Sequence, residues 1–101
     1  MIKHVVMWKL KDFAEGADRQ RNAKRLKIEL EALKCSIPQI WHLEVGINCI
    51  DSPATYDVVL YAVFKNEADL DSYQRHPDHR AVADFVARVR EHRVVVDYKT
   101  E

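Results

Sequence analysis

Apolar positions in this chain change period from one segment to the next, and the period assigns each segment its backbone. In residues 2–10, Ile-Lys-His-Val-Val-Met-Trp-Lys-Leu, the side chains of His4, Val6, Trp8 and Leu10 fall on one face. Lys3, Val5, Met7 and Lys9 fall on the other, which is therefore partly apolar as well. Period two is the repeat of a strand. Residues 11–16 are polar and contain Gly16, which predicts a loop. From about Asp18 to Lys34 the spacing changes: Ala23, Leu26, Leu30, Leu33 and Ile37 step by 3, 4, 3 and 4. Those steps build one apolar stripe along an amphipathic helix, and Pro38 stops it because proline has no N–H to continue the ladder. Residues 40–47 alternate again, with Ile40, His42, Glu44 and Gly46 opposing Trp41, Leu43, Val45 and Ile47. Asp51-Ser52-Pro53-Ala54 reads as a connecting loop. Residues 56–64 form the strongest strand, with Val58, Leu60, Ala62 and Phe64 on one face and Val59, Tyr61 and Val63 on the other.

A short helix opens at Lys65 or Asn66, of which asparagine is the better cap, and runs through Tyr73. Pro77 opens another helix to about Arg90, with Val82, Phe85, Val86 and Val89 at i, i+3, i+4 and i+7. Residues 92–98 form the last strand. The order β-α-β-β-α-β predicts an α+β, ferredoxin-like domain over residues 1–101, in which four antiparallel strands carry helices on one face. Yet the third strand is apolar on both faces, so the open face must meet something. A second copy of the same sheet is the simplest partner, pairing as a dimeric α/β barrel with Val59, Tyr61 and Val63 as interface. Burying three such side chains is worth about 1.5–3 kcal/mol each.

Composition narrows the partners. Sixteen basic and sixteen acidic residues leave no formal net charge, whereas nucleic-acid-binding domains are usually basic. The densest basic run, Arg19 to Lys27, is interrupted by polar and apolar residues, is followed by Glu29 and Glu31, and reads as a solvated helix face. No span approaches the roughly 20 apolar residues of a membrane helix, and no apolar leader opens the chain. The expectations are no nucleic acid, no membrane and a cytoplasmic location, with Cys35 and Cys49 as reduced thiols. The cysteines follow no metal-ligand spacing.

The segment with chemical potential is Tyr73-Gln-Arg-His76-Pro77-Asp78-His79. Tyr73 should end one helix and His79 sit in the first turn of the next, and the bend at Pro77 can bring both to one concave spot. A phenol beside an imidazole is a plausible acid/base pair. It is equally a way to satisfy two buried polar tips, with the histidines capping a helix and the tyrosine packing. His76-x-x-His79 could present two metal ligands, but a site needs three or four, and His76 precedes the proline. No metal site is assigned. His4 shares a face with Val6 and Trp8 and can either line a pocket or sit satisfied in the core, donating to Asp97. Trp8 and Trp41 read as core, while His42 and His92 receive no role.

Taken in order, Lys3-His4-Val5-Val6, Ile37-Pro38, Leu43-Glu44-Val45-Gly46, Tyr56-Asp57-Val58-Val59-Leu60, Tyr73-x-x-His76-Pro77-x-His79 and Val94-Val95-Val96-Asp97-Tyr98 span nearly the whole chain. The set resembles the stress-responsive A/B barrel (Dabb) family of dimeric α/β-barrel proteins. The resemblance implies a homodimer with no bound organic cofactor, in a family most of whose members lack an assigned reaction. Some plant members resemble stress-accumulated structural proteins. A plant polyketide-cyclase branch works in a cavity between sheet and helices through the tyrosine and second histidine of the motif, which map onto Tyr73 and His79. Its first-strand histidine and last-strand aspartate map onto His4 and Asp97. The chain departs from that branch at Val58, where the cyclase carries a histidine, and at first-helix positions where lysine and leucine replace aromatics. The expected ligand pocket is therefore His4, Val6, Val58, Leu60, Tyr73, His79, Val82 and Asp97, open to a small apolar or carbonyl compound. Three roles stay open: a stress-associated dimeric domain with a small pocket, a cofactor-independent acid/base enzyme using Tyr73 and His79, and a purely structural interaction module.

Overall fold

Four of the strands join one antiparallel sheet in a computed structural model that describes residues 1–101. The elements in chain order are β1 (Ile2–Leu10), β2 (Phe13–Ala14), β3 (Ala17–Asp18), α1 (Arg19–Ser36), β4 (His42–Ile47), β5 (Val58–Phe64), α2 (Glu67–Arg75), α3 (Pro77–Val89) and β6 (Arg90–Lys99). The sheet order is β4-β5-β1-β6, so the first and third strands of the βαββαβ unit lie side by side at the centre. This is the ferredoxin-like α+β fold. No helix is long and apolar enough to cross a membrane.

Local chemistry explains the boundaries. Asp18 caps α1, accepting from the Arg21 N–H at 2.9 Å, and Asn66 caps α2, accepting from the Asp69 N–H at 2.9 Å. The stripe Ala23, Leu26, Leu30 and Leu33 is buried as its spacing requires. The basic face of α1 is mostly exposed, but the Arg25 guanidinium stacks 3.8 Å from the Phe85 ring centre on α3, so it packs as well as solvates. Residues 11–16 are more ordered than a plain loop. Glu15 (φ 51°) and Gly16 (φ 74°) both take positive φ, the requirement of a two-residue hairpin turn, and so pair β2 with β3. Buried Asn22 fastens this hairpin, donating to the carbonyl of Ala14 at 3.0 Å.

Asp57 ties the sheet together at the start of β5. Its carboxylate accepts from the Leu10 N–H at 2.7 Å, and its own N–H donates to the Trp8 carbonyl at 2.9 Å. On β4, an edge strand, the outward backbone of Val45 is occupied by α1: Lys27 Nζ donates to its carbonyl at 2.5 Å, and Glu31 accepts from its N–H at 3.3 Å.

The two faces of the sheet differ. Ile2, His4, Val6, Trp8 and Leu10 of β1, with Val58, Leu60, Ala62 and Phe64 of β5, are buried beneath the helices. The opposite face has no helix. There Met7, Val94, Val96 and Tyr98 are exposed, beside half-buried Val5, Val59 and Tyr61. Two expectations need correction. Val63 is only 6% exposed within one chain, lying between the long side chains of Lys3 and His42 on the neighbouring strands. Trp41 is 54% exposed rather than core. Buried Ile37 and Ile40 fill the interior at that end, and the chain reaches the edge strand with Trp41 outside.

Candidate functional site

The Pro77 bend sets the site. Pro77 is the first residue of α3, where its missing N–H costs no helical hydrogen bond. His76, just outside, caps α3 by accepting at Nδ1 from the Asp78 N–H at 3.1 Å. His79, one turn in, donates from Nδ1 to the Gln74 carbonyl at 3.2 Å, satisfying an otherwise unpaired carbonyl of the last turn of α2. That bond leaves Nε2 as the nitrogen with the free lone pair. The same bend brings the two rings the motif predicts into tilted contact: the centroids of Tyr73 and His79 are 4.4 Å apart, with the planes at 54°.

His4 joins them from β1, its ring centroid 6.2 Å from that of Tyr73 and 6.4 Å from that of Phe64. It is 2% exposed, and its Nδ1 hydrogen-bonds Asp97, which faces it across the β1–β6 ladder. That carboxylate fixes the imidazole's tautomer and orientation.

Between sheet and helices lies a cavity of about 270 Å³, lined by His4, Val6, Trp8, Leu30, Leu60, Tyr73, His79, Ala83, Val86, Ala87, Arg90 and Arg93. Five of the eight expected pocket residues, His4, Val6, Leu60, Tyr73 and His79, are among them. Three are not. Val58 lies opposite Trp8 in the β1–β5 register, and the Trp8 side chain forms the wall at that level. Val82 is buried on the flank of α3 turned away from the cavity. At about 100° per residue the cavity-lining residues His79, Ala83, Val86 and Ala87 form a fan centred to one side of the His79 direction, while Val82 is rotated about 60° to the other side. Asp97 stands behind His4 instead of at the wall.

The walls that sequence reasoning missed are mostly on α3 and β6. Period-two counting along the last strand places Arg93, Val95 and Asp97 on the helix side, so Arg93 carried a signal, and it pairs directly opposite Trp8. A broader, polar depression of about 550 Å³ lies elsewhere, lined by Asp12, Asp18, Arg19, Asp51, Asp57 and neighbours. Its central Arg19 is already paired with Asp12, and sits 3.8 Å from Asp57.

The electrostatics of this cavity separate Tyr73 from His79. Tyr73 is 1% exposed. Burial pushes its phenol well above the ordinary tyrosine range, against a smaller downward pull from Arg93. The hydroxyl makes no hydrogen bond within the chain and opens onto the cavity. Burial also holds His79 below its ordinary 6.5; the Gln74 carbonyl opposes this, and the repulsion a proton there would meet from His4, Arg93 and His76 reinforces it. Near neutral pH the pair is a protonated phenol beside a neutral imidazole, a donor next to an acceptor. No group of three or more His, Cys, Asp and Glu side chains is arranged to hold a metal ion.

Comparison with known proteins gives consistent results. The chain is similar to a dimeric protein of unknown function and ferredoxin-like fold from Bacteroides fragilis, at 33% identity and TM-score 0.86, covering 98% of this chain and 95% of that one. It is also similar to a Dabb family protein with a ferredoxin-like fold from Mesorhizobium loti, at 25% identity and TM-score 0.77, covering 99% and 96%. A dimeric ferredoxin-like protein of unknown function from Thermobifida fusca shares the fold, at 24% identity and TM-score 0.84, over 98% and 90%. No curated protein matches the chain. Residues 2–100 match the family described as Stress responsive A/B Barrel Domain, and the chain belongs to that family.

Proposed function

We propose that this protein is a homodimer whose inter-layer cavity binds a small, mostly apolar carbonyl compound, and that Tyr73 and His79 move a proton on it without an organic cofactor. The observation that carries the reading is the Tyr73–His79 contact on the cavity wall, 4.4 Å between ring centres, with the phenol unpartnered and the imidazole neutral. In the proposed step His79 Nε2 takes a proton from the carbon next to the carbonyl. The C–H pair moves into an enolate, and the Tyr73 O–H hydrogen-bonds the enolate oxygen; return of the proton closes the cycle. A cavity of about 270 Å³ sits just below the range typical of drug-sized ligands, which favours a small one.

The homodimer reading rests on the uncovered sheet face, where Met7, Val94, Val96 and Tyr98 are exposed, and on the dimeric state of the similar proteins from Bacteroides fragilis and Thermobifida fusca. Pairing of two such faces builds the α/β barrel. Free, exposed Cys35 and Cys49 suit a reducing cytoplasm. A structural reading draws on a different observation. His76 and His79 each hydrogen-bond backbone at the Pro77 bend, so part of the motif serves the fold whatever else it does.

Proton exchange separates the two. The protein is incubated in D2O with a panel of small ketones and aldehydes, and deuterium incorporation beside the carbonyl is followed by NMR. The enzyme reading expects exchange above buffer for at least one compound, abolished in His79→Ala and strongly reduced in Tyr73→Phe. Buffer-level exchange across the panel refutes it.

A further inference from the structure

We infer that the ligand of this cavity is an anion: a small organic monocarboxylate, its charged end held by Arg90 and Arg93 and its apolar body lying against Val6, Leu60 and Val86. The inference rests on the binding reading above and names its substrate class, so that the carbonyl compound is an oxo acid.

Three observations lead to it. The first is unspent positive charge. Arg19, Arg25, Arg75 and Arg88 each pair with a carboxylate; of the arginines without an ion pair, half-buried Arg90 and exposed Arg93 are the two that line the cavity. No aspartate or glutamate is among the lining residues, so nothing in the chain neutralises them there. A planar guanidinium matches a carboxylate with two parallel hydrogen bonds, and two of them at one wall suit a single anionic group.

The second is an imbalance between donors and acceptors. Trp8 lines the cavity at 5% exposure, and its Nε1–H is buried with no hydrogen-bond partner. An indole N–H can only donate. The Tyr73 hydroxyl is likewise unpartnered. With two guanidiniums added, the lining offers more donors than acceptors, and the buried Trp8 N–H is costly to leave unmade. An oxygen-rich anion supplies what the walls lack.

The third is position. Arg93 faces Trp8 across the β1–β6 ladder, and Arg90 follows α3 directly, its N–H donating to the Val86 carbonyl. The backbone therefore fixes both stems at one end of the cavity. The charge of Arg93 reaches the far groups too, since it lowers the proton affinity of both Tyr73 and His79. A bound carboxylate would cancel that influence, and so couple occupancy to the proton affinity of His79.

The test compares charged and neutral twins: hexanoate, phenylacetate and 3-phenylpropionate against hexanamide, phenylacetamide and 3-phenylpropanamide. Affinity is measured by titration of the full chain, with the Trp8 indole N–H resonance as the reporter of the site. We expect at least one acid to shift that resonance and to bind about tenfold or more tighter than its amide at low salt, with the margin shrinking as salt rises. Arg90→Gln and Arg93→Gln should each weaken the acid by a larger factor than the amide, narrowing the gap between the twins. Arg93→Lys, which keeps the charge but loses the planar fork, should fall between. Equal binding of acid and amide overturns the anionic class while leaving the cavity reading intact, as does a preference that survives in the double Arg90→Gln, Arg93→Gln variant. If neither twin moves the Trp8 resonance, the proposal is wrong. Should the ketone and aldehyde panel also show no exchange, the functional reading falls with it.

Discussion

Removing one oxygen from Tyr73 distinguishes a working hydroxyl from a structural one. The Tyr73 ring is among the largest fully buried side chains and packs at 5.0 Å from Phe64 and 4.4 Å from His79, centre to centre. Phenylalanine keeps every one of those contacts. What it removes is a hydroxyl that bonds to no protein group and opens onto the cavity. Had that hydroxyl held a buried partner, losing it would cost about 1–3 kcal/mol, because the partner would be left unsatisfied. Here there is none to strand, so Tyr73→Phe should change stability by about 0.5 kcal/mol or less. Truncation to alanine removes the ring as well and should cost about 3–5 kcal/mol.

Thermal unfolding by circular dichroism reads this difference. In a chain of this size each kcal/mol moves the midpoint by about 4–8 °C. Tyr73→Phe should lie within about 4 °C of the unmodified protein, and Tyr73→Ala should fall far below both. All samples need the same protein concentration, since a dimer's midpoint depends on it. The variant that melts normally should be the one that loses exchange on the carbonyl panel. A Tyr73→Phe midpoint lowered by more than about 4 °C would refute the reasoning, for the hydroxyl would then be a member of the fold.

Two further perturbations address the dimer and the imidazole. Val96 is 54% exposed on the open face, so Val96→Asp should leave the subunit folded but place an unpaired charge in a buried interface. Sedimentation equilibrium should find dimer for the unmodified chain at micromolar concentration and monomer for the variant; a stable monomer from the start defeats the claim. Val96 is a cleaner choice than Tyr61, whose hydroxyl already accepts from Lys3 Nζ at 2.9 Å, so that a glutamate there could pair with the lysine. For His79, burial holds the folded value below the ordinary 6.5. As pH falls, the unfolded chain therefore binds the proton first and stability declines from about 6.5 downward, levelling once the folded form also protonates. His79→Gln should show a smaller loss of melting temperature between about pH 7.5 and about pH 5.5. An identical slope in both proteins would contradict a half-buried, neutral imidazole.

Much of the fold was legible because its signals are local. The 3-4-3-4 steps from Ala23 to Ile37 mark the α1 stripe, and alternation from Val58 to Phe64 marks β5. Pro77 marks a helix start. Each depends on one segment's own period. The errors lie where a neighbouring element decides. Val63 alternates outward like Val59 and Tyr61, yet between Lys3 and His42 it is buried where they are only half-buried. Trp41 alternates inward with Leu43 and Val45, yet an edge strand had no cover left to give it. The hairpin at Glu15-Gly16 was missed because a polar stretch of six residues carries no periodicity, and only the paired positive φ values make it a turn.

The site was legible for a different reason, and only in part. Tyr73, His79 and His4 come from three elements, but each carries a polar tip at a position whose period points inward, and such positions are few. Apolar walls have no such mark. Val82 and Ala83 are adjacent on one helix, about 100° apart, and only the side of the His79 direction on which each falls decides between core and cavity. Arg90 and Arg93 were read past because a basic residue on a terminal strand looks solvated until the strand opposite is known. Once Trp8 is placed across from Arg93, the same charge becomes part of a wall with no carboxylate to answer it. The chemistry proposed for this cavity therefore turns on cross-strand register, a long-range property. The fold's own demands at the Pro77 bend do not compete with that chemistry: His79 satisfies a helix end through Nδ1, and the same hydrogen bond holds its Nε2 free.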